Sequence, residues 1–189
     1  MIALDIKAGK SFAVFGTGSV GLSAIMGARV KGATTIVAID LSPERLELAR
    51  ELGATHTIDA TKGNVTEQLK ELTGAGLDYA LDTTGVASVI RNAVDALAPR
   101  GTCAILGVPA PDDDLVLNEF HFMSGGRKLI GVVEGSSNPD TFIPALIGLW
   151  QNGQFPFDKL ITYYPFEQIN EAIEATSNGS AIKPIVKMQ

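Results

Sequence analysis

"SFAVFGTGSVGLSA", residues 11–24, decides how the chain is read. An apolar run at residues 12–15 gives way to three glycines, Gly16, Gly18 and Gly21, followed by the small residues Ser23, Ala24, Gly27 and Ala28. Each glycine has a mechanical use where a strand hands over to a helix. Gly16 permits a tight turn, Gly18 lets the main chain approach an anion without a Cβ in the way, and Gly21 lets the helix pack closely on the sheet. Main-chain N–H groups around residues 17–20, with the positive end of the helix, hold such an anion without a cationic side chain. A nucleotide-triphosphate loop would need a lysine and a hydroxyl residue after the last glycines, and Val20-Gly21-Leu22 has neither.

The next apolar run, "TIVAID" (35–40), ends on Asp40, nineteen residues after Gly21. A carboxylate there can accept hydrogen bonds from both hydroxyls of an adenosine ribose and repels a 2′-phosphate, so the spacing predicts NAD in preference to NADP. Arg45 partly offsets that repulsion. A tight turn without a ligand is the competing reading, and the order strand, turn, helix, strand, acid speaks against it. A methyltransferase would carry an acid in the strand before a tighter glycine turn. A short-chain dehydrogenase would show Tyr-x-x-x-Lys, but Tyr79, Tyr163 and Tyr164 are followed at that spacing by Thr83, Glu167 and Gln168.

Outward from this unit, short β-branched runs alternate with stretches of helical period, the signature of βαβ units. Strands are predicted near 11–15, 35–39, 56–58, 77–82, 102–106 and 128–133, and helices near 19–31, 43–52, 64–73 and 86–98. The strand runs are almost continuously apolar, as expected where helices cover both faces of a sheet. In "DLSPER" (40–45), Ser42 is placed as a helix N-cap, with Pro43 and Glu44 in the first turn, and Gly53 closes the helix. The expected architecture is α/β: a Rossmann doubly wound parallel sheet of six strands in the order 3-2-1-4-5-6. Residues 1–135 form the nucleotide-binding domain. Residues 136–189 form a C-terminal α/β extension, reading helix at 138–153, strand at 159–164, helix at 165–179 and strand at 181–188.

The formal net charge of −6, with no basic block, argues against nucleic acid and anionic membrane surfaces. The longest apolar stretch, "FIPALIGLW" (142–150), is too short to span a bilayer and reads as a buried helix. The opening ten residues lack a signal-peptide pattern, so the expected location is the cytoplasm. One cysteine, Cys103 in "TCAIL", reads as a small core residue, and His56 and His121 stand in no metal-ligand spacing, so no metal site and no catalytic residue is assigned. Asp82, at a strand end, reads as a carboxylate bonded to nearby main chain or to cofactor hydroxyls, a structural role rather than a catalytic one. The acids Asp112, Asp113 and Asp114 read as a solvated loop without calcium-ligand spacing.

The stretch at 14–59, "VFGTGSVGLSAIMGARVKGATTIVAIDLSPERLELARELGATHTID", resembles the cofactor-binding, C-terminal half of zinc-dependent medium-chain alcohol dehydrogenases, nearest their aryl- or benzyl-alcohol branch. "GLDYALDTTG" (76–85), "GTCAILGVP" (101–109) and residues 155–188 extend the likeness over almost the whole chain. The resemblance implies that Thr17, Gly18, Ser19 and Val20 meet the pyrophosphate of NAD, between the turn glycines Gly16 and Gly21, and that Asp40 meets the adenosine ribose with Arg45 beside it. Thr83 and Thr84 would border the adenine and its ribose. Leu106 and Val108 would offer main-chain groups to the nicotinamide carboxamide, with Val132 and Glu134 opposite, and Lys183 would reach the pyrophosphate from the far side. Val86 departs from the family, which often has a cation near the nicotinamide ribose; Thr83-Thr84 is polar where some members are aliphatic.

The resemblance further implies that the zinc ligands, the proton relay and most of the substrate pocket belong to an N-terminal half absent from these 189 residues, against which the extension packs. The function expected is that of the NAD-binding domain of an alcohol dehydrogenase, placing nicotinamide to take hydride from a primary, aromatic alcohol. This chain alone would be inactive, with zinc held only by full-length members. The alternative is a stand-alone dinucleotide-binding or sensing module. The run "RKLIGVVEG" (127–135) is expected as a long apolar edge strand, and through its segment near 128–134 a homodimer is expected, as in the family.

Overall fold

The computed structural model describes residues 3–188. The outer limits of the two expected units, residues 1 and 189, lie outside the described residues, as do the first two positions of the opening stretch. In chain order the first part runs β1 (Ser11–Phe15), α1 (Ser19–Val30), β2 (Thr35–Asp40), α2 (Pro43–Leu52), β3 (His56–Asp59), α3 (Val65–Thr73), β4 (Leu77–Asp82), α4 (Ala87–Asp95), β5 (Leu97–Ile105), α5 (Glu119–Ser124) and β6 (Lys128–Gly131). The six strands form one sheet in the order 3-2-1-4-5-6, with every neighbouring pair parallel, as expected from the sequence.

The continuous apolar runs are explained by what each face meets. Phe12 and Val14 of β1 point into a core with Leu22, Ile25, Met26 and Ile36, while Ala13 and Phe15 join Val37, Ile39, Leu69 and Val94 on the other side. A strand buried on both faces has no polar positions to alternate with. Cys103 lies in the second core, and burial there, with the nearby Asp82 carboxylate, pushes its thiol up to about 12. It is a packing residue, as expected.

The order of the sheet reverses beside β1, which pairs with β2 on one side and β4 on the other. In such sheets the crevice outside the carboxyl ends of the strands, at this switch point, is the natural place for a ligand. Register aligns the three ends: Phe15 lies opposite Ile39 and Asp82.

Four local readings change. β5 begins at Leu97, well before residue 102, and α4 stops at Asp95. The register between β4 and β5 shifts between Leu77 and Tyr79, and the insertion carries Arg100 at φ +66 with its N–H donating to Gly125 O, so polar residues ride in a strand as a bulge. α5, capped by Asn118, was not foreseen. β6 is an edge strand, but a short one of four residues: the chain leaves the sheet after Gly131, while Val132 N–H still donates to Ile105 O.

The tail comprises α6 (Pro139–Gln151), a 3-10 turn at Phe157–Leu160, β7 (Ile161–Pro165), a 3-10 turn at Phe166–Gln168, α7 (Ile169–Asn178) and β8 (Lys183–Lys187). β7 and β8 pair in parallel as a separate two-stranded sheet, with α7 as the crossover. Phe155 and Leu160 are buried in the same core as Phe12 and Leu22, so the tail packs directly on the sheet layer. The expectation of a buried helix at 142–150 is corrected: α6 forms but has no buried residue, and Ile143 and Ile147 are 54% and 43% exposed. Only one stripe, Leu146 and Leu149, reaches the core, because a helix apolar all round offers more surface than one flank of a covered sheet can take. No described helix is long and apolar enough to cross a membrane.

Candidate functional site: a cleft at the sheet switch point

The three glycines separate into two kinds once their surroundings are known. Gly16 sits at φ +91, and a Cβ there would lie 2.5 Å from the Thr83 hydroxyl oxygen. A Cβ on Gly21 would lie 1.9 Å from Gly16 O, so α1 meets the turn closer than any side chain allows. The fold itself demands both. Gly18, the N-cap of α1, has an ordinary φ of −70, and a Cβ there would meet nothing within 4 Å. Nothing in the chain explains its missing side chain.

That open space belongs to a cleft of about 550 Å³, whose floor is Gly16, Thr17, Gly18, Ser19 and Val20 and whose walls include Asp40, Arg45, Thr83 and Thr84. No side chain caps α1 and no acid stands in its first turn, so the N–H groups of Gly18, Ser19 and Val20, which have no intrahelical partners, lie at the cleft floor uncompensated. α4 also begins here, with Val86 as an N-cap that offers no side-chain bond.

Hydrogen bonds hold the walls. The Thr83 hydroxyl donates to Phe15 O at 3.0 Å and lies 3.1 Å from Gly16 O, fastening β4 to the glycine turn. Asp82 is fully buried and accepts from Thr84 N–H, the Thr84 hydroxyl and Gly85 N–H at 3.1, 2.6 and 2.9 Å. Its carboxylate is spent on shaping this loop, as the sequence suggested.

Asp40 ends β2 beside the turn. Its Oδ2 accepts from the N–H and the hydroxyl of Thr17, each at 2.6 Å, and its Oδ1 from Leu41 N–H and Ser42 N–H at 2.8 and 3.0 Å. Burial alone works to raise the Asp40 carboxyl, but the bonds from Thr17, Ser42 and Leu41 outweigh it and hold it below the ordinary value of 3.8. It is an anion at neutral pH. The Arg45 guanidinium borders the same cleft and turns to Gly179 O, 3.5 Å away at the end of α7.

The structure thus brings Gly16, Thr17, Gly18, Ser19, Val20, Asp40, Arg45, Thr83 and Thr84 around one space, with Gly21 directly beneath. Leu106 and Val108 follow β5, and Val132 and Glu134 follow β6, at the same carboxyl edge but outside that lining. Lys183 opens β8 opposite Ile161, exposed and not among the lining residues. Sequence reasoning passed over Leu41, Ala60 and Val89, which supply apolar wall. Leu41 had a signal, an apolar residue directly after the strand-ending acid. Ala60 and Val89 had none, since only the alignment of β3 and α4 on the sheet brings them near. Among the described residues no group of three His, Cys, Asp or Glu side chains could hold a metal ion, so no step through zinc is drawn from these residues.

Comparison with known proteins fits this architecture. A geraniol dehydrogenase of Castellaniella defragrans is 43% identical over 185 residues, 97% of this chain and 50% of that protein. The solved benzyl alcohol dehydrogenase of Acinetobacter calcoaceticus superposes with a TM-score of 0.97 at 41% identity, covering 99% of this chain and 52% of that one. A zinc-binding dehydrogenase of Sinorhizobium meliloti, solved with NADP bound, gives a TM-score of 0.86 at 27% identity over 96% of this chain and 53% of that one. The chain spans about half the length of the relatives it matches. With residues 19–150 matching the family model for zinc-binding dehydrogenases, from the start of α1 into the last turn of α6, the chain belongs to that family.

Proposed function

We propose that this chain binds NAD as the cofactor part of an alcohol dehydrogenase and presents its nicotinamide to a primary, aromatic alcohol. The observation that carries the reading is Gly18: a glycine the fold does not require, at the mouth of an uncapped helix, in a cleft with an ionised carboxylate on its far wall. A diphosphate would lie on the amides of Gly18, Ser19 and Val20, where main-chain dipoles offset its charge without a lysine. Asp40 would accept from the adenosine ribose, with Thr83 and Thr84 along the adenosine wall. The nicotinamide end then falls toward the ends of β5 and β6, where Leu106, Val108, Val132 and Glu134 would orient the carboxamide, and Lys183 would approach the pyrophosphate from the tail.

Bound NAD supplies the hydride acceptor; these residues supply its position and exclude water from its ribose and diphosphate. In this reading residues 1–135 carry the cofactor and residues 136–189 face the rest of the enzyme. Two copies pair through β6, an edge strand beside the exposed Phe120, Met123 and Val133. A dimeric mass by solution scattering supports that pairing and a monomeric one removes it.

Calorimetric titration with NADH and NADPH tests the cofactor assignment. NADH is expected to bind more tightly, and Asp40→Ala to erase the difference. Equal affinities in the unmodified chain would contradict it.

A further inference from the structure

Thr17 was expected to touch the diphosphate; it is fully buried, and its side chain bonds to Asp40 in the cleft wall. Both of its donors, the N–H and the hydroxyl, go to one oxygen of Asp40, while Leu41 and Ser42 N–H groups take the other. Four donors of the fold thus fix the Asp40 carboxylate, which stays partly exposed in the cleft wall. Three of the four donors are main chain, fixed by the ends of β2 and the glycine turn. The Thr17 hydroxyl is the one side-chain donor of the set, and it ties together residues 23 apart in sequence.

We propose that Thr17 is a positioning residue for cofactor choice: its hydroxyl fixes the Asp40 carboxylate so that a ribose with a free 2′-hydroxyl is accepted and one with a 2′-phosphate is refused. This rests on the reading of Asp40 as the ribose-binding group. Rejection of a 2′-phosphate requires a negative charge that cannot turn aside. The other charged groups around Asp40 do not hold it. Arg45 on α2 borders the cleft but donates to Gly179 O, and Glu44 on α2 accepts from the Ser42 hydroxyl. Asp59, opposite on β3, is paired with Lys62. The glycine turn and the first turn of α1 bring no charge. The buried Thr17 hydroxyl is therefore the side-chain member of the set that fixes the rotation of the charge, and removing it leaves Oδ2 held by a single amide.

The test uses the full chain and the variants Thr17→Val, Thr17→Ser and Asp40→Asn, with thermal melts to verify folding. Calorimetry with NAD⁺ and NADP⁺ gives the preference, and ¹³C NMR of the Asp40 carboxyl gives its titration without any ligand. Thr17→Val is expected to shrink the NAD⁺ preference about tenfold, the order of one hydrogen bond to a charged group, and to move the Asp40 titration upward. Thr17→Ser, which keeps the hydroxyl, is expected to restore both. An unchanged preference and titration in Thr17→Val overturns the proposal. So does tighter NAD⁺ binding in that variant, which would make the hydroxyl a competitor of the ribose. If Asp40→Asn leaves the preference intact, or the unmodified chain shows none, it is the reading of Asp40 that fails, and the role of Thr17 in cofactor choice falls with it.

Discussion

Helices α1 and α2 start at the same edge of the sheet, each following a parallel strand, and their first turns are finished in opposite ways. α2 is closed by its own residues: Ser42 Oγ accepts from Arg45 N–H, Pro43 occupies the first position, and Glu44 puts a negative charge on the dipole. α1 begins at Gly18 with no side-chain cap and no acid. A helix that leaves its first amides unpaired keeps a binding capacity that a capped helix has already used. The difference between them, more than the glycine count, separates a binding helix from a supporting one.

The largest way to break the contrast is Gly21→Ala. The added methyl would sit 1.9 Å from Gly16 O, so α1 must lift from the turn. A loss of about 3 kcal/mol in a denaturant melt is expected, together with loss of NADH binding. A stability equal to the unmodified chain would mean the turn relaxes at little cost.

Asp40→Ala comes next. It strips the acceptor from the buried Thr17 hydroxyl and three amides, a loss of about 2 kcal/mol. Because the folded Asp40 carboxyl titrates below its ordinary value of 3.8, its contribution is present above that pH and fades as pH falls through the folded value. Melts of the unmodified chain from pH 6 down to pH 3 are therefore expected to lose stability more steeply than those of Asp40→Ala. Parallel curves would remove Asp40 from that account.

Gly18→Asp sharpens the comparison by making α1 resemble α2. The site is sterically open and φ is ordinary, so an acid at the N-cap is expected to raise stability by about 0.5 kcal/mol while reducing NADH affinity at least tenfold. A destabilised variant, or one that still binds, would contradict the claim that the amides of α1 are reserved. The smallest effect is the control. Asn64 caps α3 by accepting from Thr66 and Glu67 N–H, far from the cleft. Asn64→Ala is expected to lose about 1 kcal/mol with NADH affinity unchanged, as a calorimetric titration would show.

How much of this was legible in the sequence depended on whether the signal was local. The six strands were legible because burial on both faces wrote them as apolar runs, and Ser42, Pro43 and Gly53 marked α2 within a dozen residues. The turn and Asp40 followed from strand-turn-helix spacing. The bulge that carries Arg100 inside β5 was hidden, since its polar residues read as a loop. The exposure of α6 was hidden too: an apolar sequence states its affinity for a core but not whether the core has room. The bonds from Thr17 to Asp40 and from Arg45 to Gly179 join residues 23 and 134 apart, and only the folded sheet brings them together.

If the first amides of α1 are the anion site, ¹⁵N NMR of the full chain titrated with NAD⁺ reads the contact residue by residue. The amide signals of Gly18, Ser19 and Val20 are expected to shift first and furthest, those opening α2 at Glu44 and Arg45 to move little, and Gly18→Asp to abolish the response. Shifts as large at the capped start of α2 as at α1, or none at either under saturating NAD⁺, would contradict that assignment.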